Sequence, residues 1–131
     1  MKKRVVLMLS IVGGIALLTT LVGLCILGIR EAMNASMNFA TQAAVLMIST
    51  GVASAIGKDR SPSPAEIEAI IRDLTSSSVI NGSFDRNGKP TDVYGVPFRV
   101  RIAGRTATAT SAGPDRLFDT SDDIDRTATA P

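Results

Sequence analysis

The hydrophobic positions of this chain are concentrated near its N-terminus. Residues 5–29 carry no charge, and their only hydroxyl side chains are those of Ser10, Thr19 and Thr20. As an α-helix this run would be about 37 Å long, whereas the hydrocarbon core of a bilayer is about 30 Å thick. The pattern therefore predicts a membrane-anchoring helix over residues 1–29.

The charges that flank this run predict its orientation. Lys2, Lys3 and Arg4 precede it, whereas Arg30 and Glu31 follow it and oppose each other. Positive charge next to a membrane span is retained on the cytoplasmic side. We therefore expect a single-pass protein with a cytoplasmic N-terminus and an extracytoplasmic segment over residues 30–131.

Two kinds of cleaved signal are alternatives to an uncleaved anchor. A secretory signal has an apolar core of about 7–15 residues and ends at a small-x-small site, so this run is too long for one. A lipoprotein signal would end at Cys25, but the bulky Leu24 stands where such sites take a small residue. The pattern favours the uncleaved anchor, with Cys25 as a small apolar residue in the helix.

The helical pattern continues beyond the anchor, over residues 30–57. This segment contains no proline and is rich in good helix formers. An apolar face is predicted from three- and four-residue steps, and it comprises Met33, Met37, Ala40, Ala44, Met47 and Ile48. The opposite face is predicted to be polar and comprises Asn34, Asn38, Thr41, Gln42 and Ser49. We expect the rest of the chain to cover the apolar face.

A second, shorter helix is predicted over residues 64–76. Ser63 can cap it, Pro64 suits its first position, and Glu66 completes a Ser-x-x-Glu capping box. An apolar stripe follows at helical spacing and comprises Ile67, Ile70, Ile71 and Leu74. We expect this helix to pack on the long one.

From residue 79 to residue 125 the pattern changes to strands and turns. Residues 98–102 alternate apolar side chains with Arg99 and Arg101, and residues 106–110 alternate threonine with alanine. A period of two is typical of half-buried strands, and a turn at Ala103 and Gly104 would join them as an antiparallel hairpin. Arg99, Arg101 and Arg105 are expected on the exposed face, where they aid solubility and protect the edge. The predicted fold class is therefore α+β.

An aspartate-rich loop follows the hairpin, with five aspartates in residues 111–125. Calcium takes six to eight oxygen ligands, which mix carboxylates with backbone carbonyls such as those of Ser111 or Leu117. The candidate metal ligands are Asp115, Asp119, Asp122 and Asp123. Their spacing is not that of an EF-hand, so spacing alone favours a solvated acidic loop over a calcium site. Carboxylates this close repel one another, so a tightly folded loop needs a counter-ion.

Composition excludes several classes of function. The chain has no histidine and one cysteine, which excludes a histidine-based triad, a Cys–His dyad, a Cys/His zinc cluster and an intrachain disulfide. Four phenylalanines, one tyrosine and no tryptophan argue against a surface that stacks nucleic-acid bases. Few large apolar residues lie outside the helices, so no deep pocket for a small-molecule substrate is expected. We therefore expect a protein that is not an enzyme.

Two segments together resemble a known family. Residues 91–98 read T-D-V-Y-G-V-P-F, which resembles the D-x-W-G-x-P motif of the G-type major pseudopilins of type II secretion. Residues 111–124 are similar to the family's ending, S-A-G-P-D-G-x-x-G-T-x-D-D-I. Tyr94 replaces the motif tryptophan, and Arg116 and Asp119 stand at its two later glycines.

The resemblance implies a pilin-like structural subunit. In that family, the apolar helices of many subunits pack together in a pseudopilus at the bacterial inner membrane, and the globular part is periplasmic. The C-terminal loop of G-type subunits binds calcium. Matching positions imply Asp115, Asp122 and Asp123 as ligands here, and Asp119 has no counterpart. Together with the resemblance, the sequence favours a calcium site over a solvated acidic loop.

The N-terminus departs from this family. Its precursors are cleaved after a glycine, and a glutamate lies five residues further on. Here no acidic residue lies between Lys2 and Glu31, and Thr19 takes the place of that glutamate after Gly14. Two functions stay open: a pseudopilin-like subunit that assembles through its N-terminal helix, or an uncleaved anchored module that binds calcium or a protein partner without polymerising.

Overall fold

The first half of the chain forms one long helix, α1 (Lys2–Ala55). The computed structural model describes residues 2–57 and 60–131, with side chains from Leu17 onward. From Leu17 to Ile29 the large apolar side chains of α1 are each more than half exposed. This helix is long and apolar enough to cross a membrane, as predicted. Lys2, Lys3 and Arg4, on which the predicted orientation depends, lie outside the residues with described side chains.

The chain forms two compact units, Met1–Ser36 and Met37–Pro131. We call the second unit the module. It contains the C-terminal part of α1, the short helix α2 (Pro64–Ser76) and five strands. The strands are β1 (Ser83–Phe84), β2 (Pro90–Thr91), β3 (Arg99–Ala103), β4 (Thr106–Ser111) and β5 (Ile124–Thr129).

The strands form two small antiparallel sheets, one of β1 and β2 and one in the order β3-β4-β5. In the larger sheet Arg101 lies opposite Thr108, which lies opposite Thr127. With the two helices, these sheets confirm the predicted α+β fold, and β3 and β4 confirm the predicted hairpin. The strand β5 was not predicted, because its two hydrophobic residues do not show the alternation of a half-buried strand.

Small side chains of β4 meet the helices in the core of the module. Ala107 and Ala109 are fully buried and alternate with half-buried threonines. They belong to one apolar cluster with Val45, Ile48 and Val52 of α1 and Ile71 of α2. Because alanine is short, the helices can approach the strand closely.

The buried face of α1 differs from the predicted one. Thr41 and Ser49, predicted on the polar face, are fully buried, whereas Met47, predicted on the apolar face, is 42% exposed. This stretch of α1 is apolar on nearly every side, so its hydrophobic pattern does not select a face. The buried hydroxyls are satisfied within the helix, since Thr41 donates to the carbonyl of Met37 and Ser49 to that of Leu46, both at 2.9 Å.

The helix α2 has the predicted bounds and the predicted capping box. The backbone N–H of Glu66 donates to Ser63 Oγ at 3.3 Å, and the N–H of Ser63 donates to Glu66 Oε2 at 2.8 Å. Arg60 also pairs with Glu66. The Ser63 N–H, helped by the Arg60 guanidinium, lowers the pKa of Glu66 from 4.5 to about 2.

This lowered pKa predicts a loss of stability in acid. The pKa of Glu66 is lower in the folded than in the unfolded chain. The contribution of its carboxylate to the free energy of unfolding is therefore complete above pH 4.5 and disappears as the pH falls towards 2. We expect Glu66→Gln to be less stable than the wild type at pH 6 and nearly equal to it at pH 2. Thermal unfolding of the full chain in micelles, monitored by circular dichroism, measures the stability difference between the two proteins at each pH. A constant difference across this range would contradict the prediction.

Candidate functional site

The turn after β2 is built around a buried carboxylate. Asp92 is 1% exposed. Its Oδ1 accepts hydrogen bonds from the backbone N–H groups of Tyr94 and Val96, both at 2.9 Å. Its own N–H donates to the carbonyl of Val96 at 2.9 Å, and Gly95 has a φ of 83°. Asp92 therefore fixes the conformation of the Tyr94 and Gly95 turn.

The same carboxylate joins this turn to the start of the aspartate-rich loop. Asp92 Oδ2 accepts a hydrogen bond from the hydroxyl of Ser111, which is fully buried. Ser111 Oγ in turn accepts the N–H of Gly113 at 3.3 Å. Two segments that are distant in sequence thus share one buried hydrogen-bonded cluster, which we call the Asp92 cluster.

Two side chains connect this end of the module to polar residues of α1. The hydroxyl of Tyr94 donates to Asn38 Oδ1 at 2.6 Å, and burial raises the pKa of Tyr94. Arg126 of β5 donates to Gln42 Oε1 at 2.8 Å. Asn38 and Gln42, both predicted on the polar face of α1, therefore hold the turn and β5 in place.

The aspartate-rich loop folds through its own carboxylates. Three of the four candidate ligands accept backbone N–H bonds within the loop, from Leu117 to Asp115 at 2.8 Å, from Asp115 to Asp122 at 3.0 Å and from Asp119 to Asp123 at 2.8 Å. The structure thus brings together Asp115 with Asp122 and Asp119 with Asp123. The hydroxyl of Thr120 and the N–H of Asp115 lower the pKa of Asp122, so these bonds favour its charged form.

Arg99 supplies a positive charge to this loop. Its Nη1 lies 3.1 and 3.2 Å from the two carboxylate oxygens of Asp119, and its guanidinium carbon lies 4.0 Å from the centre of the Phe118 ring. Arg99 is therefore paired, with its side chain 36% exposed, which corrects its predicted role as a purely solubilising residue, whereas Arg101 and Arg105 are exposed as predicted. The pairing arises because β3 and the loop lie side by side, which sequence spacing does not reveal.

The four candidate carboxylates include a buried oxygen that a hard cation could use, but they are not gathered closely enough to form a metal site. Asp123 Oδ1 is buried and accepts no hydrogen bond among the described residues, so it could bind a cation directly. Among the same residues, however, no three acidic side chains lie close enough together to form a metal site. Asp119 is held by Arg99. Calcium binding would therefore draw on Asp115, Asp122 and Asp123 and would bring them closer together.

The loop closes where two backbone segments pass each other. Gly113 has a φ of 66°, and a Cβ atom there would lie 2.2 Å from the carbonyl oxygen of Asp122. Only glycine fits this crossing. Arg116 and Asp119 also have positive φ, at 62° and 70°. They bracket Leu117 and Phe118 at the tip of the loop.

The left-handed conformation of Arg116 makes a stabilising substitution possible. A residue with a Cβ atom is strained at this φ, whereas glycine is not. We expect Arg116→Gly to raise the free energy of unfolding by about 0.5–1 kcal/mol. Arg116→Ala is the matched control, because it removes the same charge but keeps the strain. Urea unfolding of the full chain in micelles measures both, and an equal effect of the two variants would contradict this explanation.

Comparison with known proteins adds no relative. No family model, curated protein or solved structure matches the chain. Its function is therefore argued from the residues and contacts described above.

Proposed function

We propose that this chain is a pilin-like structural subunit. It is anchored in a bacterial inner membrane by α1, with its N-terminus in the cytoplasm and the module in the periplasm. Copies associate with one another, or with other pilin-like subunits, through the apolar part of α1 in a type II secretion or pilus-type apparatus. Its role is structural and not catalytic, which agrees with the absence of histidine from the sequence.

The observation that carries this proposal is the Asp92 cluster. The two segments that resemble G-type pseudopilins, residues 91–98 and 111–124, are joined by the hydrogen bond from Ser111 to Asp92. The β3–β4 hairpin brings the two segments side by side, and the buried bond adds a specific contact between the motif aspartate and the motif serine. Their contact supports the view that both belong to one inherited structural unit.

A second observation concerns the two residues that replace motif glycines. Arg116 and Asp119 both have positive φ, which is uncommon for residues other than glycine. A backbone that keeps the glycine conformation after the glycine has been lost is expected of a divergent family member. This supports the resemblance independently of the residue identities.

The apolar surface of α1 is available for contact with lipid and with other copies of the helix. Its side chains from Leu17 to Ile29 are exposed in the single chain. A cysteine scan tests this proposal in the full chain, in native membranes: the natural Cys25 is compared with cysteines at Leu24, Ile26 and Leu27 in a Cys25→Ala background. We expect oxidative cross-linking whose yield varies with helical periodicity. Equal background yields at all four positions would contradict association through α1.

We also propose that calcium stabilises the aspartate-rich loop. Asp115, Asp122 and Asp123 would hold the ion, whose positive charge would offset the repulsion between their carboxylates. The buried Asp123 Oδ1, which accepts no hydrogen bond among the described residues, supports this assignment. A ligand role for Asp119 would require its carboxylate to leave Arg99.

Thermal unfolding with and without calcium tests the ion site. We expect millimolar calcium to raise the midpoint for the full chain in micelles by several degrees, because an ion that binds only the folded state stabilises it. Asp122→Ala combined with Asp123→Ala should abolish the shift, whereas Asp125→Ala, outside the ligand set, should keep it. No shift for the wild type would remove calcium from the proposal but leave the structural role.

The alternative function is an uncleaved membrane-anchored module that binds calcium or a protein partner and does not polymerise. The absence of any acidic residue between Lys2 and Glu31 favours it. N-terminal sequencing of the membrane form separates the two. A start immediately after Gly13 or Gly14 would support pilin-type processing, whereas a start at Met1 or Lys2 would exclude it.

A further inference from the structure

The module has an apolar groove between α2 and the two sheets. The groove has a volume of about 270 Å³ and is open to solvent. Its walls include Ile67 of α2, Pro90 of β2, and Pro97 and Phe98 before β3. Glu68 and Lys89 also line it and place opposite charges at its rim. We call this surface the α2 groove.

An exposed leucine lies on another part of the module, at the tip of the aspartate-rich loop. This residue, Leu117, is 62% exposed, although its neighbour Phe118 is half-buried under Arg99. Its backbone is fixed on both sides: its N–H donates to Asp115 Oδ1 at 2.8 Å, and its carbonyl accepts the hydroxyl of Thr120 at 3.2 Å. Because Leu117 is already ordered, little conformational entropy would be lost if it bound a partner.

The charges around Leu117 complement those at the rim of the α2 groove. Asp115 and Arg116 directly precede Leu117 in sequence, and their side chains are exposed. Lys89 could meet Asp115, and Glu68, which also pairs with Arg72 at 3.0 Å within α2, could meet Arg116. The side chains of Lys89 and Arg116 form no hydrogen bond or ion pair with any residue that the structure describes, so both charges are free to pair with a partner.

We propose that the occupant of the α2 groove is Leu117 of a second copy of this chain. This proposal rests on the proposed function. It adds a specific interface between modules to the association through α1. Leu117 and the α2 groove are different surfaces of the module. Each copy can therefore bind one neighbour through its Leu117 and another through its groove, so the contact is head-to-tail. Such a contact propagates from copy to copy.

This interface is small, so it acts together with the anchor. One leucine in a shallow groove with two rim charges is far below the area of a stable protein interface. Anchoring in one membrane raises the effective concentration of neighbouring modules, and weak contacts repeated along an array then add up. The contact would set how neighbouring modules are arranged after α1 has brought them together.

Paired cysteines test this contact in the full chain, in native membranes. In a Cys25→Ser background, Arg116→Cys combined with Glu68→Cys replaces the predicted ion pair with a possible disulfide and leaves Leu117 in place. We expect oxidation to produce a ladder of dimers, trimers and larger species. Adding Leu117→Ser should lower the cross-linked fraction about tenfold or more, since burying a leucine side chain is worth at least that factor.

A matched control places the second cysteine on the same helix outside the groove. Arg116→Cys with Ala69→Cys should give no ladder, because Ala69 is exposed on α2 but does not line the groove. Ladders of equal yield from both pairs, or a ladder that survives Leu117→Ser, would overturn the proposal. A product that stops at the dimer would overturn the head-to-tail arrangement. If this ladder does not form but the separate cysteine scan shows cross-linking through Cys25, this contact alone is refuted, whereas failure of both experiments would refute the proposed function.

Discussion

Replacing Asp92 by alanine is expected to destabilise the module by about 3–5 kcal/mol. The substitution leaves three donors without their acceptor, the N–H groups of Tyr94 and Val96 and the hydroxyl of Ser111. A buried donor left unsatisfied costs about 1–3 kcal/mol, and the two N–H groups contribute at the lower end of this range because their bonds are only partly buried. Tyr94 is the only tyrosine and the chain has no tryptophan, so its fluorescence during urea unfolding of the full chain in micelles follows this region.

Asp85→Ala is the matched control for this prediction. Asp85 Oδ1 accepts the N–H groups of Asn87 and Lys89, both at 2.8 Å, in the same i+2 and i+4 pattern as Asp92. Because these bonds are exposed, water can replace the carboxylate. We expect the free energy of unfolding to fall by less than about 1 kcal/mol. Equal losses for the two variants would show that burial of Asp92 and its bond to Ser111 contribute nothing, which would contradict the structural unit described here.

Gly113→Ala is expected to lower the free energy of unfolding by about 2–4 kcal/mol and to open the aspartate-rich loop. The left-handed φ of this residue costs about 1 kcal/mol for alanine. The new Cβ atom would also lie 2.2 Å from the carbonyl oxygen of Asp122, so one backbone segment must move, and such overpacking costs about 1–3 kcal/mol more. Hydrogen exchange in the full chain should show faster exchange at Asp115 and Asp119, whose N–H groups bond within the loop.

Gly104→Ala separates the cost of backbone strain at positive φ from the cost of the steric clash with Asp122. Gly104 has a φ of 58°, similar to that of Gly113, but a Cβ atom there would meet nothing within 4 Å. We therefore expect it to lose only about 1 kcal/mol and to leave exchange in the loop unchanged. If Gly113→Ala is no worse than Gly104→Ala, the crossing at Asp122 is not as tight as described.

The elements that could be predicted from sequence are those determined by local signals. The capping box of Ser63 and Glu66 predicted the start of α2, and the threonine–alanine alternation predicted β4 as a half-buried strand. The long apolar run gave the N-terminal helix. Each of these signals lies within a few residues of the structure that it determines.

The features that could not be predicted depend on contacts between distant segments. The burial of Thr41 and Ser49 is an exception with a local explanation, because their hydroxyls bond within α1 and their polarity therefore does not indicate exposure. Arg99 pairs with Asp119 across twenty residues, and Asp92 meets Ser111 across nineteen. The sequence motifs drew attention to the aspartate-rich loop, but they did not show that the Asp92 carboxylate holds its first residues in place.

The central claim is that this chain is one of many identical subunits held together in a membrane. Counting photobleaching steps tests it most directly, in native membranes at low surface density, with one dye per full chain on Ser76→Cys in a Cys25→Ser background. Ser76 is exposed near the end of α2, so the dye should leave the core undisturbed. We expect most spots to bleach in more than two steps. Spots that bleach in a single step at every density would contradict the assembly of many copies and would favour the anchored module that does not polymerise.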